Sequence, residues 1–363
     1  MKNKIIALIG MVLLSLSLLF TGCGSGKEEN TTTENTTESV TEVTTDETTQ
    51  SEDEEETVDY SAIPLEDRIG FYVDGSTLYD ANGNPFVMRG INHGFAWFTD
   101  KSLVAFDAIA ATGSNCVRIV ISDGEQYNKT AEKVISALIT LCKERNLIAV
   151  FEVHDATGLS DFTSLDKAAE YFVEVKNAFM GQEDYAIINI ANEWSGSSKT
   201  WMMGYASAVN KLREAGLANA IMVDCGGWGQ DGKCINNYGE YILEEDPIHN
   251  VIFSIHMYGT AGGSEESIRT NLGYALDQNL CVVVGEFGYK HTDGDVKEDY
   301  LMQYCEDYSI GYMAWSWKGN GGVGYLDLAK DWEGKTLSED WGEVVVNGPN
   351  GIRETSKICT VYE

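Results

Sequence analysis

The chain has 363 residues and a formal net charge of −32 at pH 7. Such an acidic surface repels nucleic acid and anionic lipid, which argues against a polyanionic partner, whereas a neutral polymer such as a polysaccharide is compatible with it. No Cys-x-x-Cys or His-Glu-x-x-His spacing occurs, so we predict neither a bound metal nor a cofactor.

The first 23 residues have the features of a secretory signal. Two lysines precede an apolar stretch, residues 5–20, which is too short for a comfortable membrane span. Residues 19–23 are similar to the bacterial lipobox, in which the cysteine, here Cys23, is lipidated and becomes the mature N-terminus. We therefore predict an extracellular, cell-surface lipoprotein that meets the membrane only through this lipid anchor. The alternative is an ordinary signal peptide with an incidental cysteine.

An acidic linker is predicted at residues 24–60. This segment is rich in Thr, Glu, Asp and Ser and holds thirteen acidic residues against one lysine. It lacks the apolar content to form a core, and its like charges keep it extended and solvated. We therefore place the folded catalytic domain at residues 61–363.

The folded part is predicted to begin with a short hairpin. Residues 71–75 and 77–80 have the composition of strands, and Asn82-Gly83 is a turn signal. Eight apolar strand candidates then follow at intervals of 28 to 38 residues. They open near Val87, Asn115, Leu147, Tyr185, Asn219, Asn250, Leu280 and Ile310.

Helical patterns lie between most of these strands, for example at residues 131–145, 165–179 and 201–215. The apolar residues of the first pattern fall on one face with a period of 3.6, as in a helix that lies on a sheet. Eight strand–helix repeats of this length predict an α/β fold, namely a (β/α)8 TIM barrel preceded by the short N-terminal hairpin. A doubly wound open sheet is the alternative, but no glycine-rich phosphate loop follows the first strand.

Polar residues cluster where the predicted strands end. Asn192 and Glu193 follow one apolar strand, and Glu286 ends another. In a barrel all eight C-terminal strand ends converge on one mouth, so these side chains should meet. Two carboxylates on two buried strands are the minimum equipment for hydrolysis of a glycoside. The other polar or aromatic residues at predicted ends are Arg89, Asn92, His93, Arg118, His154, Asp155, Asp224, His256, Tyr258, Trp315 and Trp317.

Seven segments carry a family likeness: Met88–His93, Val117–Ile119, Glu152–Asp155, Ile190–Trp194, Ser254–Tyr258, Gly285–Gly288 and Ala314–Trp317. In this order they resemble glycoside hydrolase family 5, and more narrowly its bacterial endo-β-1,4-mannanases. The resemblance runs from about Gly70 to the C-terminus. It implies a TIM barrel, a retaining mechanism and a plant β-mannan or related β-1,4-glycan as substrate, and we expect a monomer.

The resemblance also implies roles for single residues. Glu193 would be the acid/base and Glu286 the nucleophile, about 5–5.5 Å apart as in other retaining enzymes. Arg118 and Tyr258 would hydrogen-bond Glu286, and His256 would support Glu193. The remaining substrate-binding candidates are Asn192 at the sugar 2-hydroxyl, His154 and Trp315 at the cleavage subsite, and Trp317, Trp97 and His93 near strand ends.

Three alternatives stay open at this point. The first is an endo-β-1,4-glucanase, because the same barrel and glutamates cut either backbone and the preference depends on the 2-hydroxyl. The second is a non-catalytic surface glycan-binding lipoprotein, which would need an aromatic cleft but not both Glu193 and Glu286. The third is a disulfide between Cys225 and Cys234, which are close enough in sequence to pair.

Overall fold

The computed structural model describes residues 68–363. The predicted signal segment (1–23) with its lipidation site Cys23 and the predicted linker (24–60) lie outside the described residues. Within residues 68–363, no helix combines the length and the apolar character needed to cross a membrane.

The predicted N-terminal hairpin is confirmed. Strands β1 (Tyr72–Asp74) and β2 (Thr77–Tyr79) pair antiparallel. The apolar side chains of this hairpin belong to a cluster that includes interior residues of the barrel strands, so the hairpin covers the N-terminal end of the barrel. Asn250 fixes it there, because its side chain bonds the backbone of both Phe71 and Val73. The Asn82-Gly83 turn follows β2 and does not join the two strands.

Eight parallel strands close into a barrel, which confirms the predicted fold and excludes the open sheet. Each barrel strand begins within two residues of its predicted start. The barrel strands are β3 (Arg89–His93), β4 (Cys116–Ile121), β5 (Ile148–Val153), β6 (Ala186–Asn189), β7 (Ile221–Asp224), β8 (Val251–Met257), β9 (Val282–Phe287) and β12 (Gly311–Ala314), and their order around the barrel is β12-β3-β4-β5-β6-β7-β8-β9. A small hairpin of β10 (Lys290–His291) and β11 (Gly294–Asp295) lies between β9 and β12 in the chain.

Helices surround the barrel, as the spacing between strands predicts. Two of them begin at clear caps: the side chain of Asp161 accepts the Ser164 N–H at the start of α3, and Ser264 forms a capping box at the start of α7. The helices are α1 (Ser102–Ala111), α2 (Glu132–Lys143), α3 (Phe162–Glu174), α4 (Lys199–Glu214), α5 (Lys233–Glu245), α6 (Gly259–Gly262), α7 (Glu265–Leu276), α8 (Glu298–Asp307), α9 (Gly342–Asn347) and α10 (Ile352–Thr355).

The core has two apolar parts. The larger lies between the strands and the helices, and the smaller fills the N-terminal half of the barrel interior. The seven cysteines between residues 68 and 363 are buried free thiols, and Cys225 and Cys234 are among them. Buried cysteines of this kind act as small apolar residues of the core.

Candidate active site

A layer of charged and polar side chains lies above the apolar interior of the barrel. Successive residues of a strand point to opposite faces, so residues two apart share the interior face. By this rule Arg118, Glu152, Asn189 and Asp224 lie on the inward face of their strands, two residues beyond the apolar interior positions 116, 150, 187 and 222. All four are fully buried, and Glu286 joins them from β9. The polar layer therefore occupies the C-terminal end of the barrel.

An open cleft of about 560 Å³ lies over this layer. It is formed by the loops that follow the barrel strands, as expected for the mouth of a TIM barrel. Four of the predicted substrate-binding residues and both predicted catalytic glutamates meet there. The lining residues are His154, Asn192, Glu193, Gly227, Trp228, Gln230, Tyr258, Thr260, Glu286, His291, Thr292, Asp293 and Trp315.

Glu286 is held at both of its carboxylate oxygens. Arg118 donates from Nη1 to Oε1 at 2.7 Å, and the Tyr258 hydroxyl donates to Oε2 at 2.8 Å. Both contacts were predicted and both are confirmed. A guanidinium and a hydroxyl that donate to the two oxygens of a buried carboxylate fix its orientation. The Glu286 carboxylate is therefore held in one position at the floor of the cleft.

Glu193 has a different environment, and its backbone is strained. It follows β6 with φ at +46°, a left-handed conformation that costs a residue with a side chain about 1–2 kcal/mol. Its backbone N–H donates to Oδ2 of Asp224 at 3.0 Å, and its Oε1 lies 2.9 Å from Nδ1 of His256, the predicted support. Burial and the charge of Glu286 raise the pKa of Glu193 and outweigh the opposing effect of His256. Glu193 therefore keeps a proton more readily than an exposed glutamate does.

The two carboxyl groups are close together. Oxygen atoms of Glu193 and Glu286 and a ring nitrogen of His256 all lie within 4.8 Å of one another. This matches the spacing of a retaining pair and is too short for the water that an inverting pair must admit. The same three residues have the spacing of metal ligands, but Glu286 already accepts hydrogen bonds from Arg118 and Tyr258 at both oxygens. The arrangement suits proton transfer and nucleophilic attack.

His256 and Asp224 lie side by side below the cleft, and each shifts the pKa of the other. Burial lowers the pKa of His256, but Glu286, Asp224 and Glu193 outweigh burial and raise it to about 10, so the ring is an imidazolium at neutral pH. Burial raises the pKa of Asp224, but His256 and Arg118 outweigh burial and hold it well below its usual range. Nε2 of His256 lies 3.2 Å from Oδ2 of Asp224, at an angle outside hydrogen-bond geometry.

Aromatic rings form one wall of the cleft. The His154 ring lies nearly parallel to Trp315, with centroids 5.9 Å apart, and Trp97 packs edge-on against both. Nδ1 of His154 lies 2.9 Å from Oε1 of Glu152, and the indole N–H of Trp315 donates to Asn320. A flat apolar face beside polar groups is the combination that binds a sugar ring.

Residues 79–321 match the family model described as Cellulase (glycosyl hydrolase family 5). The chain belongs to glycosyl hydrolase family 5. Two relatives named mannan endo-1,4-beta-mannosidase support this assignment. The one from Salipaludibacillus agaradhaerens is 51% identical over 296 residues, which cover 81% of this chain and 96% of the relative. The one from Streptomyces lividans is 42% identical over 300 residues, which cover 81% of this chain and 78% of the relative.

A solved structure agrees with the family assignment. The beta-mannanase from Thermomonospora fusca superposes with a TM-score of 0.77 and 38% sequence identity, over 81% of this chain and 99% of that chain. The predicted resemblance to family 5 is thus confirmed over the part of the chain that these matches cover.

Two predicted substrate contacts of this family 5 site are wrong. His93 is the last residue of β3, and it points away from the interior face on which Asn92 lies. Its ring packs against Phe106 and Trp332, and burial lowers its pKa to about 3. Trp317 is fully buried and donates its indole N–H to the Trp332 carbonyl at 3.0 Å. Neither side chain reaches the cleft. Trp97, in contrast, is 37% exposed and lies at the cleft rim.

Several residues of the family 5 site were missed by the sequence reasoning or given no role. Glu152 and Asp224 are buried carboxyl groups beside Arg118, and their inward position on β5 and β7 was the available signal. Gln230 and Asp293 line the cleft from loops far apart in sequence. No pattern in the sequence marks these two, because their positions depend on how the loops fold over the barrel.

Proposed function

We propose that this family 5 chain is a retaining endo-β-1,4-mannanase that cleaves mannan or glucomannan. The observation that carries the proposal is the glutamate pair, in which oxygen atoms of Glu193 and Glu286 lie within 4.8 Å of each other in one cleft but have different hydrogen-bond partners. The two relatives that match 81% of this chain are named for action on mannan, which supports the choice of polymer.

The proposed reaction has two displacements. In the first, Glu286 attacks the anomeric carbon, the glycosidic bond breaks, and Glu193 gives its proton to the departing oxygen. Glu286 is now an uncharged ester, so the negative charge that helped Glu193 to keep its proton is gone. In the second, Glu193 takes a proton from water, the water oxygen attacks the anomeric carbon, and Glu286 leaves as a carboxylate. Two inversions retain the configuration.

The other residues hold the sugar and the two carboxyl groups. Arg118 and Tyr258 orient Glu286, and the Arg118 guanidinium also donates to Oδ1 of Asn192 at 2.8 Å. Asn192 is thereby fixed at the cleft wall, where its side chain contacts the 2-hydroxyl of the sugar. Trp315 forms the platform under the sugar that is cleaved, with His154 beside it.

Product analysis of the full-length protein tests the substrate. The polymers are mannan, glucomannan, carboxymethylcellulose and xylan, each at matched concentration. We expect turnover on mannan or glucomannan to exceed that on carboxymethylcellulose by more than about tenfold, or about 1.4 kcal/mol in transition-state binding. Equal rates on both would make the protein a general β-1,4-glucanase, the alternative that the cellulase name of the family model supports. No hydrolysis of any polymer would favour a glycan-binding protein without catalysis.

We also propose that the protein is an extracellular, monomeric lipoprotein anchored to the cell surface through Cys23. The support is the sequence alone: two lysines, an apolar stretch at residues 5–20, and small residues before Cys23. One acyl chain binds a membrane only weakly, so firm anchoring needs the several chains of a bacterial lipoprotein. The wild type should sediment with membranes, and Cys23→Ser should be released or left unprocessed. Equal membrane retention of both processed forms would contradict the anchor.

A further inference from the structure

One buried carboxylate connects the environments of both glutamates. Asp224 is 0% exposed, and its Oδ2 accepts the backbone N–H of Glu193 at 3.0 Å and lies 3.2 Å from Nε2 of His256. The same oxygen lies 3.4 Å from Nη2 of Arg118, and Oδ1 accepts the Asn189 amide at 3.0 Å. The side chain lies beneath the cleft and is absent from its lining, so it has a role other than contact with the sugar.

Asp224 supports the unusual backbone of Glu193. A glutamate at φ +46° needs contacts that over-determine the left-handed conformation. The hydrogen bond from the Glu193 N–H to Asp224 is such a contact, because it fixes the peptide that immediately precedes the strained residue. The position of the Glu193 side chain in the cleft therefore depends on the Asp224 carboxylate.

Asp224 also faces the ring that bonds the Glu193 side chain. The charged or titratable groups that face His256 are Glu193 from the loop after β6, Asp224 from β7 and Glu286 from β9. Gly229, whose φ is +71°, packs against the remaining side of the His256 ring. A Cβ at this position would lie 2.6 Å from Cγ of His256. The Asp224 carboxylate beside Nε2 and the raised pKa of His256 both favour hydrogens on both ring nitrogens, and such a ring donates from Nδ1 to Oε1 of Glu193.

The charge of this ring decides where the acid proton lies. A neutral ring with a lone pair on Nδ1 would accept the proton of Glu193, which would leave Glu193 ionised and unable to act as an acid. An imidazolium has no lone pair to accept it. Because Nδ1–H already donates to Oε1, the carboxyl proton must be on Oε2, which has no hydrogen-bond partner in the described part of the chain.

We propose that Asp224 is a positioning residue that keeps His256 as an imidazolium and thereby holds the acid proton of Glu193 on Oε2, toward the glycosidic oxygen. This inference rests on the proposed role of Glu193 as acid/base. It assigns Asp224 no contact with the substrate: Asp224 acts through His256 and through the Glu193 backbone.

The test compares Asp224→Asn with the wild type over pH. The asparagine has the same shape but no charge, so the Glu193–His256 pair binds its protons less tightly. We expect the alkaline limb of kcat/KM to move to lower pH by at least one unit. We also expect the rate on a polymer to fall at least tenfold more than the rate on an aryl glycoside whose leaving group needs no acid. Asp246→Asn is the matched control, because Asp246 is buried in an ion pair with Arg213 away from the cleft; neither readout should change.

A second variant keeps the proposal falsifiable if Asp224→Asn does not fold. His256→Asn removes the imidazolium itself, so Glu193 should bind its proton more tightly and the alkaline limb should move to higher pH. The proposal would be overturned if the alkaline limb of kcat/KM stayed at the wild-type pH in either folded variant. It would also be overturned if Asp224→Asn lowered the rates on the polymer and on the aryl glycoside by the same factor. Titration of 13C-labelled glutamate in the free wild type and in Asp224→Asn follows Glu193 without any substrate, so this readout is independent of which glycan the enzyme cleaves.

Discussion

Two buried arginines at opposite ends of the barrel show how the same side chain serves two purposes. Arg89 is the first residue of β3, at the N-terminal end, and it donates to the carbonyls of Met88 and Ile310, to Thr355 and to Glu306. Its guanidinium also lies over the Tyr312 ring at 4.4 Å. All three guanidinium nitrogens donate within the fold, so Arg89 holds elements together.

Arg118 lies near the C-terminal end and is equally buried, but its partners differ. Its guanidinium contacts Glu286, Asp224 and, at 3.7 Å, Glu152, and its remaining donors go to side-chain amides. These partners are side chains that line or support the cleft. The comparison shows that burial of a charge does not identify a functional site; the groups that neutralise the charge do.

Replacement of Arg118 should have the largest effect on turnover. Arg118→Met leaves several buried carboxylates without their cation and removes the donor that orients Glu286. We expect kcat/KM to fall by about 10³-fold or more, and the free energy of unfolding to fall by about 3–5 kcal/mol. Steady-state kinetics and urea unfolding measure the two losses. A folded variant with kcat/KM within about tenfold of the wild type would remove Arg118 from the catalytic site.

Replacements of two tryptophans near the end of β12 should have clearly different effects on turnover. Trp315 lines the cleft, so Trp315→Ala should lower kcat/KM by about 10–100-fold, the equivalent of about 1–3 kcal/mol of lost contact with the sugar. Trp317→Phe removes only a core indole and its hydrogen bond to Trp332, so it should lower stability by about 1–2 kcal/mol and leave kcat/KM nearly unchanged. Equal losses of kcat/KM in the two variants would mean that Trp317 is part of the substrate-binding surface.

Dependence on pH should come from the C-terminal end of the barrel. The raised pKa of Glu193 means that its acid form persists above the usual range of glutamate and is lost as the pH rises through that raised pKa. The rate on mannan should therefore fall on the alkaline side. Glu193→Ala, assayed with an activated aryl glycoside and azide, should lack this limb. Persistence of the limb at the same pH in Glu193→Ala would assign it to another group.

Replacement of Arg89 should have the smallest effect on turnover. Arg89→Met leaves two backbone carbonyls and Glu306 without their donor, so we expect a loss of about 2–4 kcal/mol in the free energy of unfolding. The cleft is at the other end of the barrel, and kcat/KM at 25 °C should stay within about twofold of the wild type. A large kinetic loss in a folded Arg89→Met variant would break the distinction between the two ends.

The barrel was predictable because its strands repeat one pattern at a regular interval. The glutamates and the partners Arg118, His256 and Tyr258 were predictable as well, since parallel strand ends must converge on one mouth. The errors concerned where single residues lie relative to a strand end. His93 neighbours Asn92 and points to the opposite face, while Arg89, placed among the strand-end residues, starts its strand. Whether a residue near a strand end points inward depends on a register that apolar composition defines only to within one or two residues.

The hydrogen bonds between residues that follow different strands could not be predicted from the sequence. Asp224 was recognisable as a polar residue at a strand end, but its contact with the Glu193 N–H depends on a left-handed backbone conformation that no local pattern predicts. The cleft wall after Tyr258 was equally unpredictable. There the Asp293 carboxylate, in the β10–β11 hairpin, accepts hydrogen bonds from the backbone N–H groups of Gly259 and Thr260. Such contacts arise from tertiary structure alone.

The separate roles of Glu193 and Glu286 are tested most directly by trapping the covalent intermediate. Glu193→Ala, given an aryl β-mannoside with a good leaving group, should accumulate a glycosyl ester on Glu286, seen as a mass increase of the peptide that contains it, and azide should restore turnover with a product of retained configuration. Glu286→Ala should form no ester and hydrolyse no substrate. An ester on another residue, or a product of inverted configuration from the wild type, would contradict the two-step mechanism.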